Sequence, residues 1–381
     1  MLKKFTVRNY KNFKKPLTVD FSKVGGYRFN TDCVSDNIIT KLLIYGRNAT
    51  GKTNLGVAIT DIQGIMFDTR QSDNDIFLNA DSDETTAEFT YEFEFGKDIV
   101  LYSYCLDEKR VLYTEKLSVN GHKVFDIDFL TAVYDVDLKK VCAETIVIDM
   151  YRRAIEETRE QQIAEKQLPF LRWLVNNAAF RSDSPLIKLY SYINGMRMQS
   201  IRLTAQNRPE KSYDRFYEML ANNQNLKAFE DFLNAMGIEC KLVMKTLPDG
   251  RNELYFKYHT LVPFVKNASS GTIALMNLYR FFIMPAAEAS LFYMDEFDAF
   301  YHYEMADHVI KYIKENYPRC QLIMTTHNTN LMNNRLMRPD CLMILSQYGT
   351  LTALCDATER ELREGHNLEK MYKSGEFEKY E

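Results

Sequence analysis

The stretch IYGRNATGKTNLGVAI, Ile44 to Ile59, decides how the rest of the chain is read. Within it, Gly46 to Thr53 meets the pattern G-x-x-x-x-G-K-[ST] at every fixed position. The chemistry behind that pattern is anion binding. Glycines let the backbone bend so that its N–H groups point at phosphates, a lysine here (Lys52) reaches the β- and γ-phosphates, and a hydroxyl here (Thr53) holds Mg²⁺. The apolar run Leu42–Tyr45 before the loop reads as a buried strand. Thr53–Met66 after it reads as a helix, whose positive end adds to the phosphate site. The competing explanation is a chance glycine turn. At average residue usage a chain of this length matches about once in a hundred by accident, and the strand-loop-helix context lowers that further.

Three more pieces follow downstream. In ASLFYMDEFDAFYH an apolar strand, Leu291–Met294, ends in Asp295-Glu296. A strand ending in an acid is how a Walker B element supports Mg²⁺, and the next acid, Glu296, is placed to polarise an attacking water. Alone, the pair reads better as the start of a surface turn; with a full P-loop upstream, the functional reading leads. In QLIMTTHNTNL a second apolar strand ends at Thr325-Thr326-His327, where a γ-phosphate sensor belongs. In NASSGTIALMNLY two serines and a glycine, Ser269-Ser270-Gly271, open an amphipathic helix with free N–H groups and a positive dipole. An ordinary helix cap accounts for one of the serines.

The bulk properties set limits. The chain has 381 residues, 46% hydrophobic and 26% charged, with a net charge of −4, so a wholly nucleic-acid-coated surface is not expected. Seven cysteines, never in C-x-x-C spacing, fit a reduced cytoplasmic protein without a structural zinc site. The opening MLKKFTVRNYKNFKKPL has no apolar run of signal-peptide type, and no segment approaches a membrane span.

Strands are expected at 2–8 and 17–22 around the basic turn NYKNFKK, then as a meander over 86–119. From about 144 to 236 the sequence turns charged and helical, broken by Pro169, Pro185 and Pro209. A hairpin follows at 238–246 and 252–259 across PDG. Helices at 272–288, 302–315 and 329–336 then alternate with strands at 290–294 and 320–325, the pattern of an α/β core. The expected organisation is an N-terminal part (1–143), a helical insertion (144–236) and a C-terminal part (237–381).

Taken in this order, the pieces resemble ABC-type ATPases of the OLD/RecF-like group, and in particular single-headed AAA-type ATP-binding proteins of prokaryotic defence systems. LKKFTVRNYKNF is similar to the first strand and turn of that group, YGRNATGKTNL to its Walker A, SSGT to its signature, YMDEFDAFYH to its Walker B and D-loop, and TTHN to its switch histidine. The resemblance implies an α/β ABC-type head: a mixed sheet with helices, an antiparallel β lobe and an inserted helical subdomain. It also implies ATP and Mg²⁺ as cofactors. Gly46, Asn48, Gly51, Lys52 and Thr53 would cradle phosphates, Thr53 and Asp295 would serve the metal, and Glu296 would be the catalytic carboxylate. Lys52 and His327 would contact the γ-phosphate. Ser269, Ser270 and Gly271 would contact the ATP held by a second head, and His302 would cross the dimer interface.

A homodimer is therefore implied, together with a separately encoded effector such as a nuclease that the ATPase controls. A RecF-like repair ATPase on duplex DNA is the alternative, with Lys3, Lys4, Arg8, Lys11, Lys14 and Lys15 as possible contacts. A scaffold that binds ATP and seldom turns it over is a third reading, against which an intact Glu296 argues. Three departures stand out. The Q-loop glutamine is open between Gln63 and Gln71, no C-x-x-C hook exists, and the chain ends too soon after His327 for the Toprim nuclease domain of the OLD nuclease. The insertion is the expected reader of the trigger, because the ATPase core does not account for it.

Overall fold

The computed structural model describes residues 1–68, 76–143, 146–160, 167–200, 213–283 and 288–381. Its core sheet has six strands in the order Met196–Ser200, Leu291–Asp295, Gln321–Thr326, Lys41–Tyr45, Leu342–Leu345 and Leu351–Ala353. The first five run parallel and only the last pair is antiparallel. Lys41–Tyr45 is buried at all five positions, as befits a central parallel strand covered on both faces. Its one cation, Lys41, lies inside by donating to the carbonyls of Tyr317, Pro318 and Cys320. Burial lowers its pKa to about 8.

The P-loop and the ends of the Asp295 and His327 strands all lie at the carboxyl edge of this sheet, where open α/β sheets bind ligands. The strand leading to His327 runs between the P-loop strand and the Asp295 strand, so all three motifs open onto one edge.

A second, antiparallel sheet has seven strands in the order Val133–Val136, His122–Asp128, Leu112–Val119, Asp98–Asp107, Thr86–Phe95, Leu2–Arg8 and Leu17–Asp20. The three long strands expected over 86–119 are present, and two more, His122–Asp128 and Val133–Val136, extend the meander. Alternate aromatics line the inner face. Phe89, Tyr91, Phe93 and Tyr104 stack with ring centroids 5.2–6.0 Å apart. This face packs on the P-loop helix Lys52–Phe67, where Tyr91 donates to Ala58 O at 2.9 Å and Tyr104 to Asp61 Oδ2 at 2.8 Å. Gln321 joins the two sheets. Its amide exchanges hydrogen bonds with both Leu2 N (2.7 Å) and Leu2 O (2.8 Å), and it accepts from Tyr192 OH.

Two expectations are corrected. The region 144–236, read as helical, does contain the helices Ile148–Glu160, Phe170–Asn177, Pro185–Gly195, Asp214–Leu220 and Asn223–Ala235. Yet Met196–Ser200 within it is a strand, paired in parallel with Leu291–Asp295 at the edge of the core sheet. The span 329–336, read as a helix, is a short 3-10 turn over Thr329–Leu331 followed by irregular chain. Asparagine side chains take over the backbone there: Asn328 Oδ1 accepts from Asn330 N, and Asn333 Oδ1 accepts from Arg335 N and Leu336 N. The hairpin after the insertion is present as Leu242–Thr246 and Asn252–Lys257, with a third strand, Leu261–Pro263.

Candidate nucleotide site

The P-loop wraps an open cavity of about 560 Å³ lined by Asn12, Asn48, Ala49, Gly51, Lys52, Thr53, Asn54 and Glu296. Gly51 sits at φ +100°, a left-handed conformation that glycine adopts freely. A Cβ there would also come within 3.1–3.2 Å of Phe13 and Asn12, so the NF turn after the first strand braces the loop from behind. Gly46 is required by close approach: a Cβ would meet Thr50 Oγ1 at 2.6 Å and Leu345 O at 3.0 Å.

The Lys52 ammonium is folded back on the loop, donating to Gly46 O at 2.8 Å and Arg47 O at 3.0 Å. His327 Nδ1 lies 3.4 Å from it. Burial lowers the Lys52 pKa, while the nearby Glu296 and Asp295 oppose that shift. A bound phosphate would compete for the ammonium with two neutral carbonyls, an exchange that charge favours.

Asp295 is the best-held acid of the site. It ends its strand, 4% exposed. Its Oδ2 accepts from Thr53 Oγ1 at 2.7 Å and Ser200 Oγ at 3.1 Å, and its Oδ1 from Thr325 Oγ1 at 2.9 Å. Glu296 follows at φ +49°, the left-handed region that costs a side-chain-bearing residue roughly 1–3 kcal/mol. Its backbone N–H donates to Thr325 Oγ1 at 2.8 Å, which holds the turn. The turn aims the carboxylate at the cavity, with Glu296 Oε1 3.4 Å from His327 Nε2 and both side chains a little over one third exposed.

The residues fit Mg²⁺. A hydroxyl and a carboxylate converge at 2.7 Å, an all-oxygen pair of the kind Mg²⁺ prefers beside substrate phosphates. Among the described residues no group of three or more His, Cys, Asp or Glu forms a self-sufficient metal cage.

Lys52, Thr53, Asp295, Glu296 and His327 are thus one constellation, with Asn48 and Gly51 on the cavity wall. Ser269, Ser270 and Gly271 are not among the cavity-lining residues. Ser269 caps the helix Ser270–Ile283, its Oγ accepting from Thr272 N at 3.1 Å. Ser270 is exposed, and a Cβ on Gly271 would touch Phe300 O at 3.0 Å. The motif therefore meets the loop that carries Phe300 and His302 at Gly271, and exposed His302 directly precedes the helix Tyr303–Asn316.

Of the two Q-loop candidates, Gln71 lies outside the described residues. Gln63 spends its amide on Ile193 O (2.9 Å) and Met196 O (2.8 Å), tying the P-loop helix to its neighbour. The polar residue of the strand Met196–Ser200 that does reach the site is Ser200, which sequence reasoning missed. Ser200 pairs with Asp295 in register and bonds its carboxylate. Gln199 carries a buried Oε1 without a partner. No local signal marked Ser200, since the segment Met196–Ser200 has no β-branched or aromatic residue.

The basic opening is largely neutralised. Lys3 pairs with Glu92 (3.2 Å) and Glu94 (3.3 Å), Lys4 with Asp20 (3.4 Å) and Arg8 with Glu84. Lys14 donates to Asp81 O, and Lys11 lies over the Tyr10 ring.

The architecture and the site define a mixed α/β P-loop NTPase head. Residues 146–333 match the family model described as "AAA domain, putative AbiEii toxin, Type IV TA system". That span takes in the serine motif, Asp295-Glu296 and His327 and begins after the P-loop. Similar solved structures include the SMC head domain from Thermotoga maritima, at 18% identity over 92% of this chain and 98% of that one, TM-score 0.45. Another is the SmcHead bound to the C-winged helix domain of ScpA, at 17% identity over 90% and 93%, TM-score 0.47. A third is the Smc head with an extended coiled coil bound to the C-terminal domain of ScpA, derived from Pyrococcus furiosus, at 16% identity over 93% and 96%, TM-score 0.46. No curated protein matches the chain.

Proposed function

We propose that this protein is an ABC-type ATPase that closes as a homodimer around ATP and Mg²⁺. We further propose that it serves in the cytoplasm as the sensor or regulatory subunit of an anti-phage system, acting on a separately encoded effector such as a nuclease. The observation that carries the ATPase reading is the convergence of Lys52, Thr53, Asp295, Glu296 and His327 on one cavity edge. Lys52 neutralises phosphate charge, and Thr53 with Asp295 holds the metal, which supplies charge to the phosphates. Glu296 accepts a proton from the attacking water, and His327 orients Glu296 and meets the γ-phosphate.

The dimer reading rests on the serine motif. It opens a helix, is exposed and lies outside the cavity, so a second copy is the natural source of the missing wall. The helical insertion 144–236 serves as the reader of the trigger. The family description, which names a putative toxin, leans toward conflict systems rather than repair. The ion pairs of Lys3, Lys4 and Arg8 weigh against the duplex-DNA alternative, since those cations already have partners. Among the described residues no helix is long and apolar enough to cross a membrane.

Affinity purification of Glu296→Gln from its native host with Mg-ATP tests the reading. A co-purifying effector supports it; duplex DNA with repair proteins and no effector replaces it with the DNA-repair alternative. In solution, Glu296→Gln is expected to form an ATP-dependent dimer by light scattering, and Ser269→Ala/Ser270→Ala to abolish it. Hydrolysis unchanged in the double serine variant removes the support for a shared site.

A further inference from the structure

The P-loop holds a second cation besides Lys52, and that cation is turned away from the cavity wall. Arg47 lies between Gly46 and Asn48 and is not among the residues lining the P-loop cavity. Its guanidinium binds the Glu381 carboxylate instead, with Nε donating to Oε2 at 2.8 Å and Nη2 donating to the same oxygen. The partners are unequally exposed, the Arg47 side chain at 69% and the Glu381 side chain at 13%. The guanidinium is open to solvent, whereas the carboxylate is packed against its own segment.

That segment is anchored beside the site. Asn367 caps the helix Leu368–Lys373, its Oδ1 accepting from Lys370 N at 2.8 Å, and Leu368 and Phe377 are fully buried. The Tyr372 hydroxyl donates to Glu381. The Tyr372 ring lies against Tyr45, with centroids 6.3 Å apart. Tyr45 ends the P-loop strand, and its hydroxyl donates at 3.1 Å to the carbonyl of Asn328, one residue past His327. The segment 367–381 therefore touches the chain on both sides of Gly46, at Tyr45 and at Arg47. The Arg47 carbonyl also accepts from Lys52 Nζ at 3.0 Å, so one residue meets both the segment and the P-loop lysine.

We propose that the segment 367–381 is an autoinhibitory latch on the P-loop, in which Glu381 stands in for an anionic ligand at Arg47. Carboxylate and phosphate oxygens suit a guanidinium alike. While latched, Glu381 cancels a positive charge that would otherwise strengthen the field of the loop for phosphates. Nucleotide binding and latching then oppose one another, and by linkage each weakens the other equally. The latch rests on the nucleotide reading of the P-loop.

The test is calorimetric titration of the full chain with Mg-bound AMP-PNP, a non-hydrolysable ATP analogue. It compares the wild type with Glu381→Gln, Arg47→Gln and Glu378→Gln. Glu381→Gln should tighten binding about two- to fivefold, the scale an exposed ion pair reaches. Arg47→Gln should not tighten it, because the cation leaves with the latch. Glu378→Gln removes the same charge from the segment outside the ion pair and should leave affinity nearly unchanged. In hydrogen exchange, wild-type peptides covering 372–381 should exchange faster with the analogue bound; this measurement needs no variant to fold. Unchanged or weaker binding in Glu381→Gln overturns the latch, as does tightening in Arg47→Gln or unchanged exchange. Equal tightening in Glu381→Gln and Glu378→Gln reduces the effect to net charge and also overturns it. No binding by the wild type removes the nucleotide reading itself, and the latch with it.

Discussion

Gly56 is a point of close approach between the P-loop helix and the Asp295 strand, and Gly56→Ala measures how tightly the two are coupled. An added Cβ would lie 2.4 Å from Tyr293 Cε1, 2.5 Å from Cδ1 and 2.9 Å from Met198 Cε. Tyr293 cannot swing aside cheaply. It is fully buried, and its hydroxyl donates to Lys52 O at 2.5 Å. Overpacking of this kind costs about 1–3 kcal/mol, and losing the tyrosine bond adds about 1 kcal/mol. The better helix propensity of alanine returns about 1 kcal/mol. The expected net loss is about 2 kcal/mol, read by urea unfolding followed through tyrosine near-UV dichroism. Tyr293→Leu alone should also destabilise, by leaving a cavity. Combined, the two changes relieve one another, so the double variant should fall short of additivity by about 1 kcal/mol or more. Additivity within about 0.5 kcal/mol would refute the contact as drawn. The helix must shift to admit the methyl, so the 2.7 Å contact from Thr53 to Asp295 should open and Mg-nucleotide affinity should fall in the single variant.

Three further outcomes follow from the geometry of the site. Lys52→Ala should abolish measurable ATP binding by calorimetry, because among the described residues no other cation lines the cavity. Thr325→Val removes both a donor to Asp295 and the acceptor for Glu296 N, so kcat should drop at least tenfold while ATP affinity changes little. Glu296→Gly releases the left-handed strain and should be about 1 kcal/mol more stable than Glu296→Gln, although both are inactive.

Glu115 is fully buried, accepting from Tyr102 OH, Phe170 N and Leu171 N, and burial raises its carboxyl to about pKa 7. The folded state therefore holds a proton that the unfolded chain, with the ordinary value of 4.5, has already released between those pH values. The stabilisation is fully present below about pH 4.5 and is lost as pH rises to about 7, a fall of about 3 kcal/mol. Urea midpoints across that window should show this slope in the wild type and lose it in Glu115→Gln.

What could be read from the sequence was chemistry carried by contiguous residues. The P-loop is eight consecutive positions flanked by a run buried at every residue, so local pattern and tertiary role coincide at Lys41–Tyr45 and Gly46–Thr53. The acids Asp295-Glu296 and His327 also announce themselves, because each ends an apolar strand. Met196–Ser200 does not. It has no β-branched or aromatic residue and follows a helix directly, so nothing local favours a strand. Only pairing with a partner far along the chain makes it one, and a parallel pair is by nature non-local. The span 329–336 misled in the opposite sense, since its apolar spacing is helical while its asparagines bond their own backbone.

The consequence is clearest at Asp295. Sequence shows the acid alone, whereas the structure surrounds it with hydroxyls from Thr53, Ser200 and Thr325, drawn from one helix and two strands distant in the chain. Those hydroxyls fix its two oxygens in place, so the proposed metal ligand is oriented by the protein itself. Thr325 does this while also holding the backbone of Glu296, which places the proposed metal ligand and the proposed proton acceptor under one side chain. A change at Thr325 must therefore disturb both partners of the hydrolytic step together, whereas a change at Ser200 disturbs only the metal side. Comparing Ser200→Ala with Thr325→Val at saturating Mg²⁺ separates the two: excess metal should restore Ser200→Ala and leave Thr325→Val slow. If saturating metal restores both, Thr325 acts on Asp295 alone and the strained turn at Glu296 is held by something else.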